Sequence, residues 1–442
     1  MLLTIEKLIY GGDGLARLPG DEHGRGKAVF LPFVLAGEKI EATLTEQKRG
    51  FARARVEKIV ETSRQRIQPA CPYFGECGGC HYQHTTYEQQ LEIKKEILRE
   101  TLRRTAKLEA PCEIEMHASP PWNYRNRARL QVQTTPSFAA GYFKVGSHAL
   151  LTVEGCPISS PLLNRGISGL WQSGRAGRVP EGIREVEFFA NADDSRVLVE
   201  VTCSTDASTR AVRTWAESFC ADLPEVAGVV AFREDRSGEM PRKEFAVQAE
   251  CLMYQTARAQ YRVGAGGFFQ TNRYLVDELV RIVTLGQAGE LALDLYAGVG
   301  LFSTVLAGDF HHIVCVESSQ TSTADLSYNL PANGEAIQDT SEHYLARLES
   351  QEQVKKGGVR PQHGGKPDLA VVDPPRSGLG EPVARRLANL GAPRVVYVSC
   401  DPATLARDLT SLLAAGYRVE QLHVVDLFPQ TFHLESVVHL VR

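Results

Sequence analysis

From about residue 262 to its end the chain alternates short apolar runs with helical stretches. The runs read ELALDLYAG, HHIVCVE, DLAVVDPP, RVVYVSC, YRVEQLHVVDLF and SVVHLVR. Near-continuous apolar runs of this length are strands covered on both faces, and the helices between them must cross over from one strand to the next. That rhythm leaves one main architecture open, a doubly wound α/β sheet. The last two runs have no room for a helix between them, so they are predicted to pair antiparallel. Residues 351–366, QEQVKKGGVRPQHGGK, read as a flexible surface insertion.

The remainder is organised differently. At 442 residues the chain is too long for one ordinary domain. Residues 1–62 carry short alternating runs split by Gly, Pro and Asp turns, which predicts a small all-β barrel. Residues 63–261 form a central α+β part of undefined topology, and 262–442 the α/β domain. A helix is expected from the Thr85-x-x-Glu88 capping pattern onward, with Tyr87, Leu91, Leu98 and Leu102 on one face. No apolar run approaches the roughly 18 residues of a membrane helix, and the N-terminus has no leader pattern. A soluble cytoplasmic protein is therefore expected, assumed monomeric.

The net charge of -4 conceals two basic stripes. One contains Lys48, Arg49, Arg53, Arg55, Lys58, Arg64 and Arg66; the other contains Lys94, Lys95, Arg99, Arg103, Arg104 and Lys107. Such stripes can track a phosphate backbone, although solvated faces have the same composition.

Chemistry concentrates at the ends of the C-terminal runs. In LDLYAGVGLFS, Gly298 and Gly300 permit a sharp turn, and Glu317 closes the next strand where a carboxylate can accept from ribose hydroxyls. Ser303 stands in place of a third glycine, which argues against a pyrophosphate cofactor. Asp373-Pro374-Pro375-Arg376 and Cys400-Asp401-Pro402 each follow a strand, so Asp373 and Cys400 share one sheet edge. A helix start at 402–404 and a nearby cation are expected to lower the Cys400 thiol pKa. Glu435 lies beyond a strand and turn and is a candidate general base, with His433 as a shaping residue. A thiolate that adds to carbon 6 of uracil makes carbon 5 nucleophilic, and a base must then remove the carbon 5 proton.

These motifs resemble the RNA 5-methyluridine methyltransferase family. They are Phe-Phe-Gln-x-Asn (268–272), Asp-Leu-Tyr-x-Gly-x-Gly (294–300), Asp-Pro-Pro-Arg-x-Gly (373–378), Tyr-Val-Ser-Cys-x-Pro-x-Thr-Leu-x-Arg-Asp (397–408) and Phe-Pro-x-Thr-x-His-x-Glu-Ser (428–436), in the family's order. The resemblance implies a Rossmann-like domain that uses S-adenosyl-L-methionine, Cys400 as nucleophile and Glu435 as base. It implies that Gln270, Tyr296, Glu317 and Asp373 line the cofactor pocket, and that residues 1–62 form an OB-like TRAM barrel that binds RNA. Ala297 and Leu301 depart from the family, which usually has Cys and often Asn there, so only a backbone contact is expected at 301.

Of the ten cysteines, Cys71, Cys77 and Cys80 cluster. By spacing alone, zinc (with His81 as a further ligand) and iron–sulfur stand level. The resemblance implies a [4Fe-4S] cluster completed by Cys156 in the Glu-Gly-Cys-Pro-Ile segment, with a structural or RNA-positioning role in a domain apart from Cys400. It also points to 23S rRNA as substrate, with tRNA second. A non-catalytic RNA-binding protein is the alternative of another class. Tyr124-Arg125-Asn126-Arg127 fits an RNA contact, or with Arg129 an ordinary exposed strand face.

Overall fold

The computed structural model describes residues 1–20, 26–109, 113–235, 240–355 and 366–442. Most of the expected insertion, 356–365, lies outside the described residues; its first five residues complete the helix Ser341–Lys355.

The N-terminal strands form one six-stranded sheet. Alternation sets its two faces: in Phe51–Glu61, Ala52 and Ala54 point into the core while Arg53 and Arg55 point outward. Leu3, Ile5, Val29, Leu31 and Ile40 fill that core. In the centre, a seven-stranded sheet from Arg127 to Gln248 is flanked by the helices Pro161–Arg175 and Thr209–Asp222. Ser160 and Ser208 cap these helices, their hydroxyls accepting from Leu163 and Ala211 N–H.

The C-terminal sheet has eight strands. Across the sheet they run Gly334–Gln338, Phe310–Glu317, Gly289–Leu295, Leu369–Val372, Arg394–Ser399, Glu435–Val441, Arg418–Val425 and Ile114–His117. Every neighbouring pair is parallel except those made by Glu435–Val441, which is antiparallel to both neighbours, as the missing crossover predicts. After Gly289–Leu295 the chain builds outward on one side and then returns to Leu369–Val372 on the other. The strand order thus reverses between those two strands, where open α/β sheets place ligands.

Two of the eight strands escaped the sequence reading. Gly334–Gln338 is half-exposed and weakly apolar, and Ile114–His117 comes from the central part of the sequence. The helix Tyr87–Thr101 starts one residue later than the motif suggested. Thr86 is its cap, because the Thr85 hydroxyl already donates to the Gln65 carbonyl. Leu98, Leu102 and Ile114 bury in the same core as the C-terminal strands, so this stretch packs as part of the C-terminal layer.

Candidate active site

Strand register brings the two reacting candidates together. Ser399 pairs with Ser436 across the antiparallel strands, so one step further Cys400 leaves one strand where Glu435 opens the other. Asp373 follows the adjacent strand Leu369–Val372, and its N–H reaches the Leu295 carbonyl at 3.4 Å. Arg376 completes the group. Cys400 is half-buried and Glu435 is buried.

The electrostatics overturn one expectation. Burial, then the charges of Glu435 and Asp373, push the Cys400 thiol up to about 12, against a smaller opposing effect of Arg376. The helix Pro402–Ala414 does not relieve it. Asp401 caps that helix, its carboxylate accepting from Ala403 and Thr404 N–H at 2.9 and 3.0 Å, so the free donors are already satisfied. Burial and Asp373 raise the Glu435 carboxyl well above its usual range. Asp373 is pushed up to about 7 by burial and by Asp294. At rest the site is crowded with acids that hold their protons. Burial and Arg376 hold His433 down to about 3, so its ring is neutral near pH 7. It packs on Phe432 at 4.2 Å between ring centroids.

The Asp-Pro-Pro-Arg-x-Gly loop is locked from below. Gly378 has φ +71°, and a Cβ there would lie 2.5 Å from Asp408 Oδ2, so glycine is required. That same oxygen accepts from Leu379 N–H at 2.7 Å and Tyr397 Oη at 2.8 Å, while Arg407 donates to the Ser377 carbonyl at 2.8 Å. Tyr397, Arg407 and Asp408 of the longer motif therefore hold the loop in shape.

At the strand-order reversal, Tyr296, Gly298 and Gly300 all adopt positive φ, at 64°, 57° and 89°. A tyrosine in this region is strained, and here it ends the strand that feeds the turn. Glu317 ties the turn down, accepting from Gly298 N–H at 2.9 Å and from Ser319 N–H at 2.7 Å. Asp294, which the sequence reading passed over, is fully buried beneath the turn. One of its oxygens accepts from the Ser303 hydroxyl, and the other is buried with no hydrogen-bond partner among the described residues. Burial and Glu317 push Asp294 up to about 7. An unpartnered carboxylate oxygen and two carboxyls near pH 7 mark a pocket short of positive charge. A ligand carrying a sulfonium and an ammonium fits that deficit. Gln270 is buried nearby in sequence to Asn272, its carbonyl accepting from Asn126 at 3.0 Å. Leu301 gives its carbonyl to Tyr261 Oη at 2.9 Å and buries its side chain.

The profile of the family described as tRNA (Uracil-5-)-methyltransferase matches residues 86–442, and that of the TRAM domain matches 1–56. The chain belongs to this family. It is an S-adenosylmethionine-dependent RNA uracil-5-methyltransferase. Among its relatives, the Shewanella amazonensis protein named 23S rRNA (uracil(1939)-C(5))-methyltransferase RlmD is 32% identical, over 98% of this chain and 94% of its own. An Aquifex aeolicus protein named as an uncharacterized RNA methyltransferase is 31% identical over 99% and 97%. The fold matches the Pyrococcus abyssi tRNA (uracil-54, C5)-methyltransferase in complex with S-adenosyl-L-homocysteine, with a TM-score of 0.75, 23% identity and full coverage of both chains.

In this methyltransferase Cys71, Cys77, Cys80 and Cys156 line one cavity of about 270 Å³. Tyr142 and Arg125 line it too, and the buried Arg125 Nε has no hydrogen-bond partner among the described residues. Although the cysteines sit apart from Cys400 in the fold's layers, their segment grips the catalytic loop directly. His81 and Tyr82 N–H both donate to the Gln430 carbonyl, at 2.8 and 3.0 Å, and the His81 ring packs on Phe432 at 4.6 Å. From the TRAM sheet, Tyr10 donates to the Cys400 carbonyl at 3.2 Å. No sequence signal marked Tyr10 for this contact.

The basic stripes are less free than their composition suggests. Arg66 is paired with the buried Glu38, and Lys94 is wholly buried against Asp426. Arg53, Arg55, Arg99 and Arg104 also have acidic partners. Arg127 and Arg129 both bind Glu187, so of that expected exposed face only Arg129 is solvent-facing. None of the helices among the described residues is long and apolar enough to cross a membrane.

A pH effect follows from the acidic pocket. Below about pH 7, Asp294 and Asp373 hold protons and offer no charge to a cation; above it they ionise. Affinity for S-adenosylmethionine is expected to rise from pH 6 to pH 8, by up to about tenfold per unit on the acid side for each proton released. S-adenosylhomocysteine, whose sulfur is neutral, is expected to show a shallower dependence. Calorimetry across that range checks both, and equal flat profiles would contradict this reading of the pocket.

Proposed function

We propose that this enzyme methylates carbon 5 of a uridine in 23S rRNA, in the cytoplasm, through a covalent adduct between Cys400 Sγ and carbon 6 of the ring. The supporting observation is the register that sets Cys400 and Glu435 at adjoining strand ends with Asp373 beside them. Gln270, Tyr296, Glu317 and Asp373 are assigned to the cofactor pocket, with Asp294 added. The bound cofactor supplies an electrophilic methyl group and a positive charge. That charge, with Arg376, favours the Cys400 thiolate that burial suppresses at rest. The Cys400 thiol proton and the Glu435 carboxyl proton must first pass to solvent; Cys400 Sγ then adds to carbon 6, and the ring electrons move to the carbon 4 oxygen. Carbon 5 then takes the methyl group as the methyl's bond to the sulfonium sulfur breaks, leaving neutral S-adenosylhomocysteine. Glu435 accepts the carbon 5 proton, the double bond re-forms, and the carbon–sulfur bond breaks to release Cys400. The target base must leave its stack to reach this buried group, which suits loop or single-stranded RNA.

Residues 1–62 are assigned to RNA binding, 63–261 to a metal-bearing central part and 262–442 to catalysis, with 87–117 serving the catalytic layer. For Cys71, Cys77, Cys80 and Cys156 the proposal is a [4Fe-4S] cluster. Zinc sulfurs at about 2.3 Å from the ion would lie roughly 3.8 Å apart. The four cysteines share one cavity of about 270 Å³, which has room for a larger centre. The unsatisfied Arg125 guanidinium suits a net negative group. Protein purified without oxygen is expected to carry about four irons per chain. Stripping them is expected to loosen the His81–Gln430 anchor and lower methylation. Colourless protein holding zinc and no iron refutes the cluster.

The substrate test uses unmodified 23S rRNA and tRNA with labelled cofactor, followed by nucleoside analysis. 5-Methyluridine in the rRNA supports the proposal. Product confined to tRNA transfers the activity to that substrate, and no product from either overturns the proposal.

A further inference from the structure

Beyond the methyltransferase site, a cluster of two histidines and two glutamates stands on the other edge of the C-terminal sheet. Glu115 and His117 lie two residues apart on the edge strand Ile114–His117 and so share a face. The parallel register sets Glu115 beside His423, on the strand Arg418–Val425. Glu278 reaches in from the helix Val276–Thr284, which covers this face.

The hydrogen bonds fix which nitrogens are free. His117 Nδ1 lies 2.7 Å from Glu278 Oε1; a carboxylate only accepts, so Nδ1 carries the hydrogen. His423 Nε2 faces Gln421 Oε1 at 3.3 Å and is its donor in the Nε2–H tautomer. The two remaining nitrogens, His117 Nε2 and His423 Nδ1, then present lone pairs to each other across 3.1 Å. In that tautomer the facing nitrogens are set to share a cation, whether a metal ion or a proton. Arg281 is the neighbouring cation, and it is committed to Glu278 by bonds of 2.7 and 2.6 Å.

We propose that His117, His423 and Glu115 form a zinc site, with Glu278 orienting His117 from behind. The three ligand atoms lie within 4.8 Å of one another. With zinc bonds of about 2.05 Å, the 3.1 Å nitrogen separation subtends roughly 98° at the ion. The 3.5 Å between His423 Nδ1 and Glu115 Oε2 subtends roughly 117°. Both angles bracket the tetrahedral value. A histidine whose second nitrogen donates to a carboxylate is the usual arrangement behind a metal-bound imidazole. Glu115 is largely exposed, so water can reach the fourth position. Two imidazoles and a carboxylate also accept other late first-row ions, and zinc is the commonest such occupant.

The site would clip the edge strand to the strand that feeds the catalytic loop. The His117 carbonyl accepts from Asp426 N–H at 2.9 Å, and Asp426 begins the segment that leads to Glu435. Its role is to hold register rather than to touch the reacting atoms.

The test equilibrates the full-length protein with Zn²⁺ alone, and in parallel with Co²⁺ as a spectroscopic probe. Wild type is expected to bind one ion here without thiolate-to-cobalt charge-transfer bands, which separates it from any ion on the cysteines. His423→Asn is expected to lose that ion. Glu278→Gln is expected to bind it about 10- to 100-fold more weakly. Glu115→Gln, a change at an exposed position that leaves the fold undisturbed, is expected to weaken it at least tenfold. If wild type and all three variants take up the same number of ions, or if every bound cobalt shows thiolate bands, the site does not exist and the histidines share a proton.

Discussion

Replacing Cys400 with alanine is expected to abolish methyl transfer while leaving the protein folded and able to bind its cofactor. The expected loss in single-turnover rate is on the order of 10³-fold or more, as for removal of an obligatory nucleophile. The fold survives because Cys400 contributes to the architecture through its backbone. Its carbonyl accepts from Tyr10, and the next residue caps the helix Pro402–Ala414; neither needs the thiol. The residues proposed for the cofactor pocket, Asp294, Tyr296, Glu317 and Asp373, lie on or just after other strands. Rapid-quench measurement of 5-methyluridine, beside calorimetry of cofactor binding, reads both halves. A Cys400→Ala enzyme that retains more than a tenth of wild-type rate contradicts the covalent route.

The second large effect lies far from the reacting atoms in sequence. Lys94 is wholly buried, donating to Asp426 at 2.5 Å and to the Phe428 carbonyl at 2.9 Å. It rivets the helix Tyr87–Thr101 to the segment that carries the catalytic loop. Burial lowers the Lys94 pKa and Asp426 opposes that shift, so each group depends on the other. Lys94→Met leaves Asp426 buried without its partner, and the expected cost is about 3–5 kcal/mol in urea denaturation of the C-terminal layer. Adding Asp426→Asn removes the stranded charge and should restore part of the loss. The double variant should still be slow in catalysis, because the anchor to Phe428 is gone. If Lys94→Met unfolds at the wild-type urea concentration, the pair is not the rivet described here.

How much of this was readable in the sequence depends on what each residue answers to. The strands that lead into Tyr296, Asp373 and Cys400 are buried at their C-terminal ends, so their apolar runs declared them, and these three residues fell at one sheet edge. Gly334–Gln338 and Ile114–His117 are strands by neighbour pairing alone, and their sequences carry no apolar run to announce them. The cysteine quartet was readable only through resemblance, since Cys156 lies 76 residues beyond Cys80. The Cys400 pKa was misjudged for a physical reason. Sequence placed a helix start beside the thiol but could not show that Asp401 already occupies its donors and that burial with two acidic groups, Glu435 and Asp373, crowds the sulfur. Lys94 was read as part of a basic face, because a buried lysine and a solvated one look alike until the partner, 332 positions away, is brought to it.

The account turns on sulfur bonding to the uracil ring, and Glu435→Gln isolates that event. Glutamine fills the same space but cannot take the carbon 5 proton, so the adduct should form, accept its methyl group and then stall. The expected rate loss is about 10²- to 10⁴-fold. Denaturing mass spectrometry of Glu435→Gln with RNA and cofactor should show protein and RNA joined, one methyl group heavier, at Cys400. The same mixture carrying Cys400→Ala as well should show none. An RNA that leaves Glu435→Gln methylated and unattached, or an adduct that persists without Cys400, would contradict the mechanism.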